Sequence, residues 1–340
     1  MYINEKLGLR IQKQLIHAII MKHHTIISHC IGVFILISTN ILLSQNPSKE
    51  INGSKFLKPS GKIALSPFIF LDEHNNSHII LVEKRGQRLL VLNKQNGSLV
   101  IENSYLCSTG KISGNKQEPG DMKTPEGIYF LRKQIDSSAL DPKYGAGAYV
   151  LDYPNGFDQI KKRKGYGIWI HGTNEPERLE KSMDTRGCVV LKNEDFIDLA
   201  KYIKLYKTPV VIVDEIQYRK MEFVNRDKAD TMEFLENWKT NWESKNLDDY
   251  INLYAKNFKH KKMNIQAYRS YKKRLFRKYV WIKLRLSNVQ IFHTPQYLLI
   301  NLLQEYSADT YSDFGIKQLF LTKENNTYKI IKETWTGIQK

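Results

Sequence analysis

The hydrophobic pattern of the chain changes near residue 214, and this change limits the folds open to it. Between residues 79 and 213, short runs of β-branched and aliphatic residues alternate with Gly, Pro, Asp and Asn. Such runs between turn residues are typical of strands. Beyond Asp214, aromatic residues recur at helical spacing, as at Phe234, Trp238 and Trp242. The 340 residues therefore predict a mainly β domain followed by a smaller α+β domain.

The first domain is predicted to span residues 66–216. Its strand-like runs lie at 79–84, 88–93, 127–131, 148–151, 167–170 and 209–213. Asn96 and Gly97 predict a tight hairpin turn into a further strand at 98–107. One helix is predicted at 193–205, with Phe196, Leu199 and Ile203 on one face. Tyr129 and Trp169 are interpreted as core residues rather than as platforms for a ligand.

The second domain is predicted to span residues 229–340. Leu247, Tyr250 and Tyr254 continue the helical spacing, and a third helix is expected at 267–276. Alternating strands follow at 281–292, 297–306, 316–322 and 328–335. The basic residues Lys272, Lys273, Arg274, Arg277 and Lys278 leave two interpretations open, a surface for a polyanion or an ordinary solvated face.

The N-terminal residues 1–45 predict an export signal or a membrane anchor. Lys22, His23 and His24 form a short basic start, residues 26–43 an apolar run, and Ser44 to Pro47 a polar exit. The alternative is an uncleaved anchor, because this run is close to the length that spans a bilayer. Translation from Met1 or from Met21 is left open. A linker rich in Ser, Lys, Gly and Pro is expected at 46–65, and both domains would then lie outside the cytoplasmic membrane.

The charge balance favours an anionic partner. Lys and Arg number 52 against 35 Asp and Glu, a formal net charge of +17. Such a balance suits nucleic acid, a membrane surface or the acidic polymers of a bacterial wall. The basic residues are spread along the chain without a nucleic-acid-binding motif, so no nucleic-acid partner is predicted.

One His and one Cys stand in a context that suggests a thiol nucleophile with its base. His171 ends the run Ile168-Trp169-Ile170, and Cys188 follows Thr185-Arg186-Gly187. A thiol attacks as its thiolate, so it needs a neighbour that takes its proton, and His is well suited to that task. Ends of strands are common positions for such groups.

This pattern resembles the catalytic domain of the L,D-transpeptidase family, the YkuD-type domain. Upstream, Ser108-Thr109-Gly110 and Thr124-Pro125-Glu126-Gly127 resemble two further segments of that family in the same order. The resemblance implies a β-sandwich of mixed sheets, with Cys188 as nucleophile, His171 as base and the carbonyl of Gly172 orienting the imidazole. Backbone N–H groups of Gly187 and Cys188 would hold the oxyanion.

The chain departs from the family at Arg186, where many members have His. Arg186 is expected to clamp a substrate carboxylate or to point to solvent. Thr185 is expected to bond the imidazole or the substrate, or to tighten the turn.

The C-terminal region resembles the nuclear transport factor 2-like superfamily, through Trp238, Trp242, Tyr250, Tyr254 and Phe258. Together, the two resemblances point to the peptidoglycan L,D-carboxypeptidases of helical Gram-negative bacteria, located in the periplasm or cell envelope. They imply cleavage between meso-diaminopimelate and D-Ala of tetrapeptide stem peptides, and an influence on cell shape. Two alternatives stay open: an L,D-transpeptidase that forms 3-3 cross-links or attaches or releases a wall-bound protein, and a non-catalytic wall-binding scaffold. The oligomeric state is not predicted.

Three cysteines, Cys30, Cys107 and Cys188, are too few for a disulfide framework. A bridge between Cys107 and Cys188 would block the proposed nucleophile, so Cys107 is interpreted as a small buried hydrophobe. No cofactor is predicted. No metal site is predicted either, because one His and one Cys supply too few ligands.

Overall fold

The computed structural model describes residues 63–66, 68–72, 78–95 and 98–338. The predicted signal or anchor segment 1–45 and most of the predicted linker lie outside these residues. The last residues of that linker, from Ile63 onward, form a strand. No helix in the described ranges is long and apolar enough to cross a membrane.

The strands are numbered in chain order: β1 Ile63–Ser66, β2 Phe68–Leu71, β3 Ile79–Glu83, β4 Arg88–Gln95, β5 Ser98–Leu106, β6 Gly127–Asp136, β7 Gly147–Leu151, β8 Trp169–His171, β9 Val189–Val190, β10 Pro209–Val213, β11 Gln217–Lys220, β12 Lys259–His260, β13 Met263–Asn264, β14 Ile282–His293, β15 Leu298–Ala308, β16 Tyr311–Glu324 and β17 Thr327–Gly337. The α-helices are α1 Gly156–Ile160, α2 Glu177–Glu180, α3 Asn193–Leu199, α4 Met221–Glu243, α5 Leu247–Asn252 and α6 Ile265–Lys278. Short 3-10 helices lie at Ser137–Ala139, Pro142–Tyr144 and Ala200–Tyr202.

Eight strands of the first domain form one mixed sheet in the order β5-β4-β3-β10-β6-β7-β8-β9. The pairs β3/β10 and β8/β9 are parallel, and the other neighbours are antiparallel. Successive side chains of a strand point to opposite faces. Accordingly, Ile80 and Val82 lie in one core, and Ile79 and Leu81 in another. Burial on both faces explains why the strand sequences are continuous apolar runs.

The local predictions for this domain are largely confirmed. The β4/β5 hairpin forms, with Gln95 opposite Ser98, although the turn residues Asn96 and Gly97 lie outside the described part of the chain. The predicted helix 193–205 is shorter: α3 ends at Leu199 and continues only as a 3-10 turn to Tyr202. The short helices α1 and α2 were not predicted, because segments of four or five residues carry no helical periodicity.

The second domain packs three helices, α4, α5 and α6, on a five-stranded antiparallel sheet of order β17-β16-β15-β14-β2. The aromatic stripe of α4 faces the core, where Trp238 is fully buried. The predicted α+β fold class is therefore confirmed. Tyr254 lies just beyond α5 rather than on it, and pairs by a β-bridge with Ile330.

A group of buried charges lies inside this domain. Lys272, expected on a charged surface, is buried with its Nζ 3.6 Å from the ring centre of Trp242. Burial lowers the pKa of Lys272 to about 7, although Glu333 opposes this. Burial alone would raise the pKa of Glu333, but Lys317, Lys272 and a hydrogen bond from Tyr268 together lower it to about 2. The surface interpretation was therefore wrong for Lys272, because it lies on the inward face of α6.

The two domains share part of a core. One cluster combines Leu81, Leu90 and Phe130 of the first sheet with Leu299 and Phe320 of the second. The strand β2, which precedes the first sheet in sequence, pairs with β14 of the second sheet. This contact joins the two domains along an apolar face.

Candidate active site

Adjacent parallel strands bring His171 and Cys188 to one face of the sheet. The register of β8 and β9 places Ile170 opposite Val189 and His171 opposite Val190. Four neighbouring side chains lie together in a core on the other face: Ile168, Ile170, Val189 and Leu191. The alternation of side chains along a strand then directs His171 and Cys188 to the same side.

The imidazole of His171 is held in one tautomer. Its Nδ1 lies 2.6 Å from the carbonyl oxygen of Gly172. A carbonyl only accepts, so Nδ1 carries the proton and Nε2 keeps a lone pair. Burial lowers the pKa of His171 to about 4, and the positive charge of Arg178 adds to this, while the bond to Gly172 opposes it. His171 is therefore neutral at pH 7 and able to accept a proton.

The segment that carries Gly172 is fixed by Asn193, the first residue of α3. Its Oδ1 accepts from the Ala146 N–H at 2.8 Å, and its Nδ2 donates to Asn174 Oδ1 at 2.8 Å. A Cβ on Gly172 or on Gly145 would collide with Asn193 Oδ1. Asn193 was not identified from the sequence, because no local pattern indicates that it reaches residues 19 and 47 positions away.

One aromatic ring packs on His171, and a second packs on that ring. The ring of Tyr144 lies edge-on to the imidazole, with centroids 4.9 Å apart, and its centroid is 5.1 Å from that of Trp169. Trp169 is only partly buried, so its interpretation as a core residue is not confirmed. Tyr129 is fully buried, as predicted, and donates to Asp158 at 3.1 Å.

Cys188 is a free cysteine, and the residue as a whole is partly exposed. Its Sγ lies 3.5 Å from the carbonyl of Gly167, to which it donates. Burial raises the pKa of this thiol, while a backbone N–H at Trp169 and the charges of Arg178 and Lys116 oppose the rise. This environment favours the protonated thiol over the thiolate. Cys107 is also a free thiol and is buried in the core, as predicted.

The loop before Cys188 is closed by Thr185. Its hydroxyl donates to the Cys188 carbonyl at 2.7 Å and accepts from the Gly187 N–H at 3.0 Å. Thr185 is 1% exposed, so of the roles left open the structure shows the one that tightens the turn, and a substrate contact is not supported. The Gly187 N–H is thereby engaged, which leaves the Cys188 N–H as the proposed oxyanion donor.

Gly187 also packs closely against a second loop. It has φ +124°, and a Cβ there would lie 2.8 Å from the carbonyl oxygen of Lys123. The hydroxyl of Thr124 donates to the Gly187 carbonyl at 3.0 Å. The segment around Thr124, singled out in the sequence, therefore supports the cysteine loop.

Two arginines differ in their environment. Arg186 is exposed, and its role as a carboxylate clamp stays a prediction. Arg178, on α2, was not identified from the sequence. Its Nε lies 3.8 Å from Glu175 and 3.7 Å from Asp184, and its charge lowers the pKa of both His171 and Cys188.

His171 ends β8, and Cys188 directly precedes β9, the parallel strand next to it in the mixed sheet. Residues 77–212 match the family described as the L,D-transpeptidase catalytic domain, YkuD. Residues 230–334 match the Cds6 C-terminal NTF2-like domain. The chain belongs to the L,D-transpeptidase family and joins its catalytic domain to a C-terminal NTF2-like domain.

Two solved structures resemble the chain over most of its length. Bd1075 of Bdellovibrio bacteriovorus is 34% identical, with a TM-score of 0.69, and the match covers 81% of this chain and 99% of Bd1075. The helical cell shape determining protein Pgp2 of Campylobacter jejuni is 26% identical, with a TM-score of 0.65, over 79% of this chain and 95% of Pgp2. No match to a curated protein sequence was found.

Proposed function

We propose that the protein is a cysteine-dependent peptidoglycan L,D-carboxypeptidase. It would cleave the bond between meso-diaminopimelate and the terminal D-Ala of tetrapeptide stems, and so leave tripeptides. The observation that carries this proposal is the placement of His171 and Cys188 on one face of adjacent strands in an L,D-transpeptidase domain. The same two-domain architecture in a protein that determines helical cell shape supports a role in cell shape.

In the proposed first step, the substrate carbonyl on the L-centre of diaminopimelate lies over Cys188. His171 Nε2 takes the thiol proton as sulfur attacks the carbonyl carbon. The Cys188 N–H holds the developing oxyanion. The carbon–nitrogen bond then breaks, and His171 returns the proton to the departing D-Ala amine, leaving a thioester.

The thioester has two acceptors, and they divide the main hypotheses. Water, deprotonated by His171, releases the tripeptide and restores the thiol. The side-chain amine of a second stem would instead give a 3-3 cross-link, which is the transpeptidase alternative, and the same acyl centre would serve attachment or release of a wall-bound protein. We favour water, because the two-domain architecture resembles that of peptidoglycan-trimming enzymes. Arg186 is proposed to bind a stem carboxylate.

The proposed substrate sets the proposed location. Stem peptides lie outside the cytoplasmic membrane, so we place the protein in the periplasm or cell envelope, reached through the N-terminal segment acting as signal or anchor. The +17 formal charge would favour contact with anionic wall polymers.

The first test uses the protein without residues 1–45 and a disaccharide-tetrapeptide muropeptide, with products identified by mass spectrometry. Loss of one D-Ala without dimer formation is expected, and Cys188→Ala should abolish it. Cys107→Ala is the matched control, because it removes the other described thiol, which lies in the core on the opposite face of the sheet, and it should keep activity.

Other products would change the conclusion. A tetrapeptide-derived dimer with a 3-3 link would establish the transpeptidase instead. If no product forms while muropeptide binds equally to the unaltered protein and to Cys188→Ala, the wall-binding scaffold replaces the enzyme.

A further inference from the structure

We propose that the C-terminal domain positions the catalytic loop, and that Tyr297 is the positioning residue through which it acts. Tyr297 touches no reacting group. It holds the start of β6 at Ile128. The segment just before β6 carries Thr124, which bonds Gly187 in the catalytic loop, residues 185–187. This inference rests on the proposed role of Cys188 and assigns the NTF2-like domain a part in building the site.

Tyr297 contacts the catalytic domain directly. Tyr297 precedes β15, is 4% exposed, and its hydroxyl accepts from the Ile128 N–H at 2.9 Å. Asn155 Nδ2 donates to the same oxygen at 3.3 Å and to the Ile128 carbonyl at 2.8 Å. The ring stacks on Phe157, with centroids 4.2 Å apart and planes at 23°. One side chain of the C-terminal domain thus satisfies a buried backbone donor of the catalytic sheet.

Gly127 is shaped to this contact. A Cβ there would lie 2.9 Å from the hydroxyl of Tyr129 and 3.1 Å from that of Tyr297, and its φ of +154° favours glycine. The backbone at the start of β6 is therefore packed directly against the two hydroxyls.

A short segment connects the start of β6 with the loop before Cys188. Only Pro125, Glu126 and Gly127 separate Ile128 from Thr124, and the ring of Pro125 fixes its φ. Thr124 accepts from the Gly110 N–H at 2.8 Å and donates to the Gly187 carbonyl at 3.0 Å.

The connecting segment is itself held. The buried Nζ of Lys84 lies 2.7 Å from Glu126 Oε1 and donates to the carbonyls of Thr124 at 3.2 Å and Gly114 at 2.7 Å. Because the backbone of residues 125–127 has few freely rotating torsions, a displacement of Ile128 also displaces Thr124. Thr124 in turn displaces Gly187, to which it is hydrogen-bonded.

A second contact anchors the turn that carries Tyr297, residues 294–297. Arg163 forms a buried ion pair with Asp158 at 2.8 Å and donates to Gln296 Oε1 at 3.0 Å. The turn is closed by Thr294, whose N–H and hydroxyl both donate to the Tyr297 carbonyl at 2.9 Å. The position of the Tyr297 hydroxyl is therefore set by the C-terminal domain.

Tyr297→Phe tests the proposal, because it keeps the ring stack and removes only the hydroxyl. Tyr328→Phe is the matched control: Tyr328 is also buried, but in the core of the C-terminal domain, where its ring contacts Phe234. Circular dichroism and thermal melts of both variants establish that each is folded.

Three measurements follow. The rate of Cys188 alkylation by iodoacetamide as a function of pH needs no substrate, so it decides the proposal even if the proposed reaction fails. We expect Tyr297→Phe to raise this rate at pH 7 about three-fold, because a looser loop makes the partly exposed Cys188 more accessible. Amide exchange at Ile128 should become faster. With muropeptide, kcat should fall about five-fold or more with little change in KM, because positioning rather than binding is lost.

A folded Tyr297→Phe variant with the alkylation rate and kcat of Tyr328→Phe would overturn the proposal. If Tyr297→Phe does not fold, Gln296→Ala decides instead. A Cys188 alkylation rate about two-fold above that of the unaltered protein would then support the proposal, since one anchor of the same turn is lost. An unchanged rate would refute it.

Discussion

His171 is buried, and its surroundings keep its ring neutral with Nε2 unprotonated. The hydrogen bond from Nδ1 to the Gly172 carbonyl fixes the tautomer, and burial lowers the pKa of the ring to about 4. The thiol of Cys188 is also favoured in its neutral form, because burial raises its pKa.

The first prediction concerns the pH dependence of stability. The pKa of His171 falls from 6.5 in an unfolded chain to about 4 in the fold, so below pH 6.5 the unfolded state binds the proton first. Stability is therefore lost as pH falls from 6.5 to 4, by about 3 kcal/mol in total. The stability difference between the unaltered protein and His171→Gln should shift by that amount between pH 7 and pH 4, measured by urea unfolding.

A His171→Gln variant whose unfolding free energy follows the pH curve of the unaltered protein would contradict the prediction.

The loops and short helices around the site supply most of the contacts that the sequence did not reveal. α2 carries Arg178, and the first turn of α3 carries Asn193, which ties residue 146 to residue 174. The strands bring His171 and Cys188 together, and these irregular segments hold them there. Loops on a rigid sheet are the usual setting for such a site.

The second prediction is that Asn193→Ala costs about 1–2 kcal/mol of unfolding free energy, because the Ala146 N–H and Asn174 lose a partner. Muropeptide turnover should fall too, since the segment after His171 loosens. Glu194→Ala, at an exposed position of the same helix turn, is the control and should be near neutral. Equal unfolding free energies for the two variants would show that Asn193 does not brace the loop.

The whole molecule is built around two sheets that share apolar residues. The cluster formed by Leu81, Leu90, Phe130, Leu299 and Phe320 spans both domains, and β2 pairs with β14. The C-terminal domain therefore covers a face of the catalytic sheet that would otherwise meet water.

The third prediction follows from this shared core. A chain ending at Ile216 should expose that face, bind a hydrophobic dye such as ANS, and associate on size-exclusion chromatography. The full-length chain with the same N-terminus is the comparison and should do neither. A truncated chain that stays monomeric and melts at the same temperature would show that the shared core is dispensable.

The predictions that the structure confirms depend on local patterns in the sequence. Strand runs, the hairpin at 95–98, the helical stripe of α4 and the His171 and Cys188 motifs depend on residues close together in sequence. The helix after Asn193 was predicted too long, because its periodicity continues through a 3-10 turn. Lys272 was placed on a surface, because the charge run around it hides its inward position.

The sequence by itself determined the two fold types, the longer strands and helices in chain order, and the pair of residues proposed for catalysis. Only the tertiary structure decided that Thr185 engages the Gly187 N–H, that Asn193 fixes the loop after His171, and that Tyr297 reaches Ile128 across 169 positions. The physical reason is the separation in sequence between the residues that interact. Hydrophobic periodicity and turn chemistry are read from neighbouring residues, whereas a buried donor finds its acceptor only after the sheets have packed.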